Sequence, residues 1–373
     1  MKISIATGPS YPVPPLVGGA MAKVWHRLAE EFAARGHEVS ILARAYSGQP
    51  KSEVASGVRY IRWGGFDQSR NILWDLWRDF FYAAGFFFRL PPADILVVND
   101  FWLPVFAVHR RNAGRVVVSV NRFPKRQMWL YKRVARLAAA SRAIRDAIIY
   151  QHPSSADLIR VIPNPVDVAT LTSGTEKSEK KSERTILFVG RLHPEKGVHV
   201  LVAACLQLLP SHPGLHLWLV GPHTEEQGGG GEKYLARLKE LAGDARVEIS
   251  GPVFDPGALA EVYRSADIFC YPSLAEQGEA LPVAPLEAMA AGLPPVVSDL
   301  DCFRDFIEEG RSGLSFDHRK DPESNLAAAL SRLLEDPILA RNIGMEASRM
   351  AQNFSVSRIA DQFLADFEQL ISS

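Results

Sequence analysis

Apolar runs of four to six residues alternate with longer stretches whose apolar positions recur at helical spacing. The runs at residues 2–6, 38–43, 58–62, 94–98 and 115–120 read as strands, and 19–34, ending at Arg35-Gly36, reads as a helix. Strands alternating with amphipathic helices predict parallel sheets covered by helices, an α/β fold. The pattern stops at 172–184, which is charged and nearly free of apolar residues and so reads as a solvated linker. It restarts with a strand at 185–189, a helix at 197–209 and strands at 216–220, 247–250, 268–271 and 295–298. The expected organisation is a first domain over 1–171, the linker, a second domain over 185–354, and a last helix within 355–373 that crosses back to brace the first.

In open α/β folds, ligands bind at the carboxyl edge of the sheet, where strands run into loops. The most informative loop is 272–294, because it spells a loop, a helix start, a helix and its stop, with a carboxylate on each side of the start. Pro282 suits the first helical position and Pro285 the first turn, whose amides have no intrahelical partner. Gly292 and Pro294 close the helix. Such a start carries about half a positive charge and favours phosphate. Glu279 and Glu287 flank it, so they are expected to face hydroxyl groups beside the phosphate, and phosphate with polyol on both sides describes a nucleotide sugar. Gly190-Arg191 follows the strand at 185–189, and Lys196-Gly197 heads the next helix. An Arg fork and a Lys point charge at one sheet edge suit a diphosphate. At the exit of the first strand, Gly18-Gly19 opens a helix with bare backbone, although the three spaced glycines of a dinucleotide site are absent.

Composition narrows the class. The 373 residues are 47% hydrophobic, enough for two cores, and 42 Lys and Arg balance 42 Asp and Glu, which gives no global argument for nucleic acid. Cys205, Cys270 and Cys302 have no metal-ligand spacing, and their odd number suits buried thiols in a reducing compartment. The ten histidines form no metal-ligand cluster either. The N-terminus lacks the apolar run of a signal peptide, and 72–90, the longest apolar region, carries Asp75, Arg78, Asp79 and Arg89 and does not read as a membrane span.

Four segments in this order resemble the retaining nucleotide-sugar glycosyltransferases of family 4. They are Gly18-Gly19 with Arg35-Gly36-His37-Glu38-Val39, then Val161-Ile162-Pro163-Asn164-Pro165-Val166-Asp167, then 188–197, and Glu279 to Glu287 with Ala288-Met289-Ala290-Ala291-Gly292. The glutamates stand at the family's spacing of seven intervening residues. The resemblance implies the GT-B architecture, two Rossmann-like parallel-sheet domains facing each other across a cleft, with an acceptor domain first and a donor domain second. It implies that Gly190, Arg191 and Lys196 serve the donor diphosphate, that Glu287 holds the ribose and Glu279 the transferred sugar. The amides around Leu281 and Val283 would take a phosphate oxygen, and Gly18-Gly19 would let the first domain close over the diphosphate. It also implies a metal-independent, front-face reaction without a cofactor, on a glycan or lipid-linked acceptor, in a cytoplasmic protein with peripheral contact at the inner face of the membrane.

Two positions depart from the family pattern. Asn121 stands where many members have a His facing the donor sugar, and Asn cannot shuttle a proton. Asn99-Asp100 replaces a His before an acidic residue, and both sites read alternatively as plain strand ends. A degenerate sugar-nucleotide or glycan-binding relative and a GT-B epimerase remain alternatives. Trp74, Trp77 and Phe81 share one helical face that reads as core, with a membrane-surface helix as the functional alternative; Lys125, Arg126, Lys132, Arg133, Arg136, Arg142 and Arg145 read as a solvated helix face or as its partner. The loop Gly228-Gly229-Gly230-Gly231 is expected near the site but outside it, as a surface insertion, and His193 reads as structural.

Overall fold

The computed structural model describes residues 1–16, 18–69, 71–172 and 183–372. The expected linker falls mostly on 173–182, outside the described residues. The chain divides into two compact units, Met1–Pro165 with Val356–Ser373, and Val166–Ser355.

The first unit runs β1 Lys2–Thr7, α1 Ala20–Ala34, β2 Glu38–Ala43, β3 Ser52–Ala55, β4 Val58–Arg62, α2 Ile72–Arg89, β5 Ile95–Asn99, α3 Leu103–Ala107, β6 Arg115–Val120, β7 Arg136–Ala139, α4 Arg142–Gln151 and β8 Ile159–Val161. Its eight strands lie in the order β3-β4-β2-β1-β5-β6-β7-β8, all parallel except β3, which pairs antiparallel with β4. The second unit runs α5 Val168–Thr172, β9 Arg184–Val189, α6 Val198–Leu208, β10 Leu215–Val220, α7 Gly231–Ala242, β11 Val247–Ser250, α8 Pro256–Arg264, β12 Ile268–Tyr271, α9 Val283–Ala290, β13 Pro295–Ser298, β14 Leu314–Phe316, α10 Pro322–Glu335 and α11 Pro337–Ala351. Its six strands lie in the order β11-β10-β9-β12-β13-β14, all parallel. Both sheets are therefore doubly wound, with the strand order reversing beside β1 and beside β9. Parallel strands buried on both faces need continuous apolar runs, which Ile186-Leu187-Phe188 and Ile95-Leu96-Val97-Val98 supply.

The last helix, α12 Val356–Ser372, belongs to the first unit. Its Ile359, Phe363 and Phe367 join the core built by Trp25, Leu28 and Phe32 of α1, with Trp25 and Phe363 ring centroids 5.4 Å apart. Arg136 of β7 meets the buried Asp366 carboxylate at 2.8 Å, which ties α12 to the sheet by charge as well as by packing. All three cysteines are free and buried. Among the described residues no helix is long and apolar enough to cross a membrane.

The aromatic helix α2 corrects the sequence reading. Asp79, Tyr82, Ala83 and Phe86 face inward, while Trp74, Trp77 and Phe81, expected in the core, are 50%, 54% and 55% exposed. The inward face is anchored through a carboxyl pair. Asp79 lies beside Asp100, which follows β5 and accepts the Leu103 N–H at 2.8 Å. The Phe101 and Trp102 amides lie near the pair, but neither oxygen of Asp79 nor Oδ2 of Asp100 makes a well-formed hydrogen bond to a described residue, so burial favours a proton between the two carboxyls. Burial pushes Asp79 up to about 6, and burial together with Asp79 pushes Asp100 well above the usual carboxylate range.

Raised folded-state values stabilise the protein below the ordinary carboxylate range, and that stability is lost as pH rises through the folded value. The melting temperature is therefore expected to fall as pH rises from about 4 through about 6, and to fall further above that as Asp100 ionises. Asp100→Asn keeps the Leu103 cap and supplies a donor to Asp79, so it should leave stability near pH 5 little changed and raise it near pH 8 by about 1–3 kcal/mol. Thermal denaturation across this range checks it, and an unaltered pH dependence in the variant would refute the shared proton.

Candidate active site

In the second unit β9 lies between β10 and β12, and the loops leaving β9 and β12 are adjacent at the carboxyl edge. The first of these loops is Gly190 to Gly197. A Cβ on Gly190 would stand 3.0 Å from the Phe188 ring. Arg191 then turns outward, and its guanidinium donates to the Gly228 carbonyl at 2.6 Å and to Glu195 Oε1 at 2.6 Å. His193 Nδ1 accepts the Glu195 N–H at 3.3 Å, which starts the short helical turn Pro194–Lys196. His193 is thus a cap, as its structural reading anticipates.

Gly197 ends that turn with φ of 65°, and a Cβ there would overlap the Pro272 carbonyl. Only glycine lets the two loops lie this close. They are joined further where the Leu274 N–H donates to the Glu195 carbonyl at 2.8 Å. The closure brings Lys196 Nζ within 2.5 Å of Glu279 Oε1, and both side chains are buried. The buried Ser273 hydroxyl lies 2.7 Å from the same oxygen. Tyr271, whose ring centroid is 5.7 Å from Lys196 Nζ, has its phenol pushed far up by burial and by Glu279. A buried ion pair is tolerable only with such additional hydrogen bonding.

Helix α9 begins at Val283, one residue later than its sequence suggests, so Pro282 is the N-cap and Pro285 the third helical residue. No side chain caps the start, because neither proline nor its neighbours offers an acceptor there. The helix stops as expected, with Gly292 at φ 77° and the Leu293 N–H returning to the Ala288 carbonyl. Glu287 is buried within α9 and accepts the Tyr263 hydroxyl at 2.9 Å. Burial and the neighbouring Glu287 push that phenol far up. Farther out, Glu276 accepts from His318 Nε2 and from Arg319, both at 2.9 Å, and so pins the turn that precedes Glu279.

Gly190, Arg191, Lys196 and Glu279 thus meet in one unit, and Leu281, Val283 and Glu287 continue the same loop and helix. Sequence reasoning passed over Glu195, Ser273, Tyr263 and the Gly228 carbonyl. Glu195 lies four residues from Arg191 and is recoverable from that spacing; Tyr263 reaches Glu287 from a separate helix, and no local signal marks it. The glycine loop does more than was expected of it, since Gly228 helps orient Arg191.

The remaining candidates lie in the first unit. Gly18 and Gly19 have φ of 90° and 95°, and a Cβ on Gly19 would stand 2.6 Å from the Tyr11 ring, so Tyr11 alone demands glycine there. Asn99 ends β5 and donates to the Ser119 carbonyl at 3.2 Å. Asn121 follows the neighbouring β6, and its amide bonds the Ser119 hydroxyl. Asp100 turns its carboxyl inward to Asp79 and the Leu103 amide.

Two cations, the uncapped start of α9 and two buried carboxylates thus belong to the two loops and the helix at this edge of the second sheet. Residues 17–170 match the family model described as Glycosyltransferase Family 4, and residues 173–350 match that of Glycosyl transferases group 1. The chain is 30% identical to the phosphatidyl-myo-inositol mannosyltransferase of Mycolicibacterium smegmatis over 99% of its own length and 94% of that protein's. It is 28% identical to the glycogen synthase of Mycobacterium tuberculosis over 94% of this chain and 91% of that protein. Among solved structures, the sucrose-phosphate synthase of Thermosynechococcus elongatus superposes with a TM-score of 0.82 at 21% identity, covering 100% and 99% of the two chains. HepE from Anabaena, in complex with UDP-glucose, superposes with a TM-score of 0.77 at 19% identity, covering 99% and 100%. With both halves matched in order and a relative similar from end to end, the chain belongs to the group 1 glycosyltransferases of family 4 and has their GT-B fold.

Proposed function

We propose that this glycosyltransferase moves a sugar from a nucleoside diphosphate sugar to a glycan or lipid-linked acceptor, with retention at the anomeric carbon and without a metal or other cofactor. The observation that carries the reading is the buried Lys196–Glu279 pair, which holds a cation and a carboxylate together in the loop that runs into the uncapped start of α9. Relatives whose names describe a glycolipid mannosyltransferase and a glycogen synthase, and a neighbour solved with UDP-glucose, support the donor and acceptor classes.

In this reading Arg191 and Lys196 bind the diphosphate oxygens and stabilise the charge that grows as the bond from the anomeric carbon to phosphate breaks. Gly190 gives the diphosphate access to the backbone, and the first amides of α9, with Leu281 and Val283, receive a phosphate oxygen. Glu279 holds the sugar that moves and Glu287 the ribose. The acceptor oxygen attacks the face from which phosphate leaves, and its proton passes to the departing diphosphate oxygen, so no side chain need take it. Asn121 and Asn99 are assigned hydrogen bonds to sugar or acceptor hydroxyls, and Gly18 and Gly19 a close backbone approach to the donor. The protein works in the cytoplasm, with its first unit in peripheral contact with the membrane.

Removing one partner of a buried ion pair strands the other. Lys196→Ala is therefore expected to cost about 3–5 kcal/mol of stability, whereas Lys196→Met combined with Glu279→Gln should recover most of it in urea melts. Both forms should lose about a hundredfold or more in kcat, because the cation at the leaving group is gone. A stable double variant with full activity would remove the pair from catalysis.

A panel of nucleoside diphosphates should contain at least one that raises the melting temperature of the wild type, and Glu287→Ala should abolish that rise. No rise with any of them would overturn the donor site. With the donor so identified, nuclear magnetic resonance of the product should show the anomeric configuration of the donor; inversion would overturn the mechanism.

A further inference from the structure

Several large aromatic side chains of the first unit lie exposed. On α2, Trp74, Trp77, Phe81 and Phe88 fall on one arc and are 50–78% exposed. Trp74 and Trp77 stack at 4.8 Å, and Phe81 meets Trp77 edge-on at 4.9 Å. The ridge continues along the surface through ring contacts. Phe80 of α2 packs on Trp102, Trp102 on Phe101, and the Tyr131 hydroxyl donates to the Phe101 carbonyl at 2.9 Å. Tyr131 belongs to the loop 122–133, where Trp129 is 59% exposed.

That loop lies within a segment of pronounced charge bias. Although the whole chain is neutral, residues 101–145 carry eleven Lys and Arg and no Asp or Glu. Arg122, Lys125, Arg126, Lys132 and Arg133 are exposed, and their side chains have no carboxylate partner among the described residues. They do not form the helix face expected from the sequence, since much of the segment between β6 and β7 is irregular, with a short helical turn at Met128–Tyr131. Exposed indoles are poorly suited to water, and with solvated cations on the same surface they are well suited to a bilayer interface, where indoles sit at headgroup level and cations meet lipid phosphates. A second copy of this chain would bring the same cations face to face, which disfavours self-association through this surface.

We propose that the α2 ridge and the 122–133 loop together form a docking face for a bilayer containing anionic phospholipid. The aromatic side chains enter the interface, and the cations select the negative headgroups. This gives residues to the membrane contact of the proposed function and rests on that reading for its biological use. The physical claim itself is independent of the donor site.

Sedimentation of the full chain with sucrose-loaded vesicles tests it. The protein should pellet with vesicles of phosphatidylcholine mixed with phosphatidylglycerol and remain largely in solution with pure phosphatidylcholine, and added salt should release it. The triple substitution Trp74→Ser, Trp77→Ser, Phe81→Ser should weaken vesicle binding about tenfold or more, while Arg122→Glu with Lys125→Glu and Arg126→Glu should abolish the preference for anionic lipid. Melting temperatures of the variants without lipid should match the wild type. Wild-type protein that stays in solution with anionic vesicles, or a triple variant that still pellets with them, would overturn the proposal. So would a wild-type dimer that the triple variant converts to a monomer, or preferential binding of RNA over vesicles. The donor-induced rise in melting temperature, measured on the same samples without vesicles, reports separately on the donor site.

Discussion

The buried contact between Lys196 and Glu279 is the interaction on which the second unit's loop edge depends. Neither charge is tolerable alone at such burial, so each loop is held in place by the need of the other. The requirement propagates outward. Gly197 must be glycine so that the two loops can touch, Ser273 and Tyr271 must flank the carboxylate, and Glu276 must be pinned by His318 and Arg319 so that the intervening turn does not drift. The chain that leads from Glu279 into the uncapped start of α9 is thereby held in place.

Most of this was legible in the chain because the signals are local. The apolar runs at 38–43, 58–62, 115–120, 247–250, 268–271 and 295–298 coincide with strands, and Gly292 marks the end of α9. The strands that escaped notice are those whose local composition says something else. Arg136-Leu137-Ala138-Ala139 has helix-forming residues and becomes a strand only because the sheet offers it a partner on either side. Val54 of β3 is 72% exposed, and β8 and β14 are three residues each, too short for a period. At the site, the charged residues declared themselves and their supports did not. Tyr263 and the Gly228 carbonyl act through contacts between separate segments, and Ser273 meets Glu279 across an irregular loop; none of these contacts leaves a periodicity to read.

Helix α2 shows how a correct pattern yields a wrong side. An aromatic stripe at helical spacing belongs to the core in most domains, yet here the opposite stripe, with Asp79 and Tyr82 in it, is the one that goes inward. The reason lies at the carboxyl edge of the first sheet, where Asp100 supplies a partner for Asp79 that no amphipathicity argument contains. The Tyr82 hydroxyl, which donates to the Thr7 carbonyl at 3.2 Å, anchors the same face to the end of β1. Polar anchoring inside has left the apolar side to the surface.

Helix α12 adds a constraint in time. The core of the first unit is built around Trp25, Phe32, Phe363 and Phe367, which are separated by more than three hundred residues of chain. During synthesis the earliest strands leave the ribosome first and cover part of the apolar face of α1, but the part that packs on α12 stays open until the residues of α12 emerge. Residues 166–355 are complete before then, so the unit begun first is finished last. For that interval the nascent chain carries an open apolar seam along α1, filled only when Phe363 and Phe367 arrive.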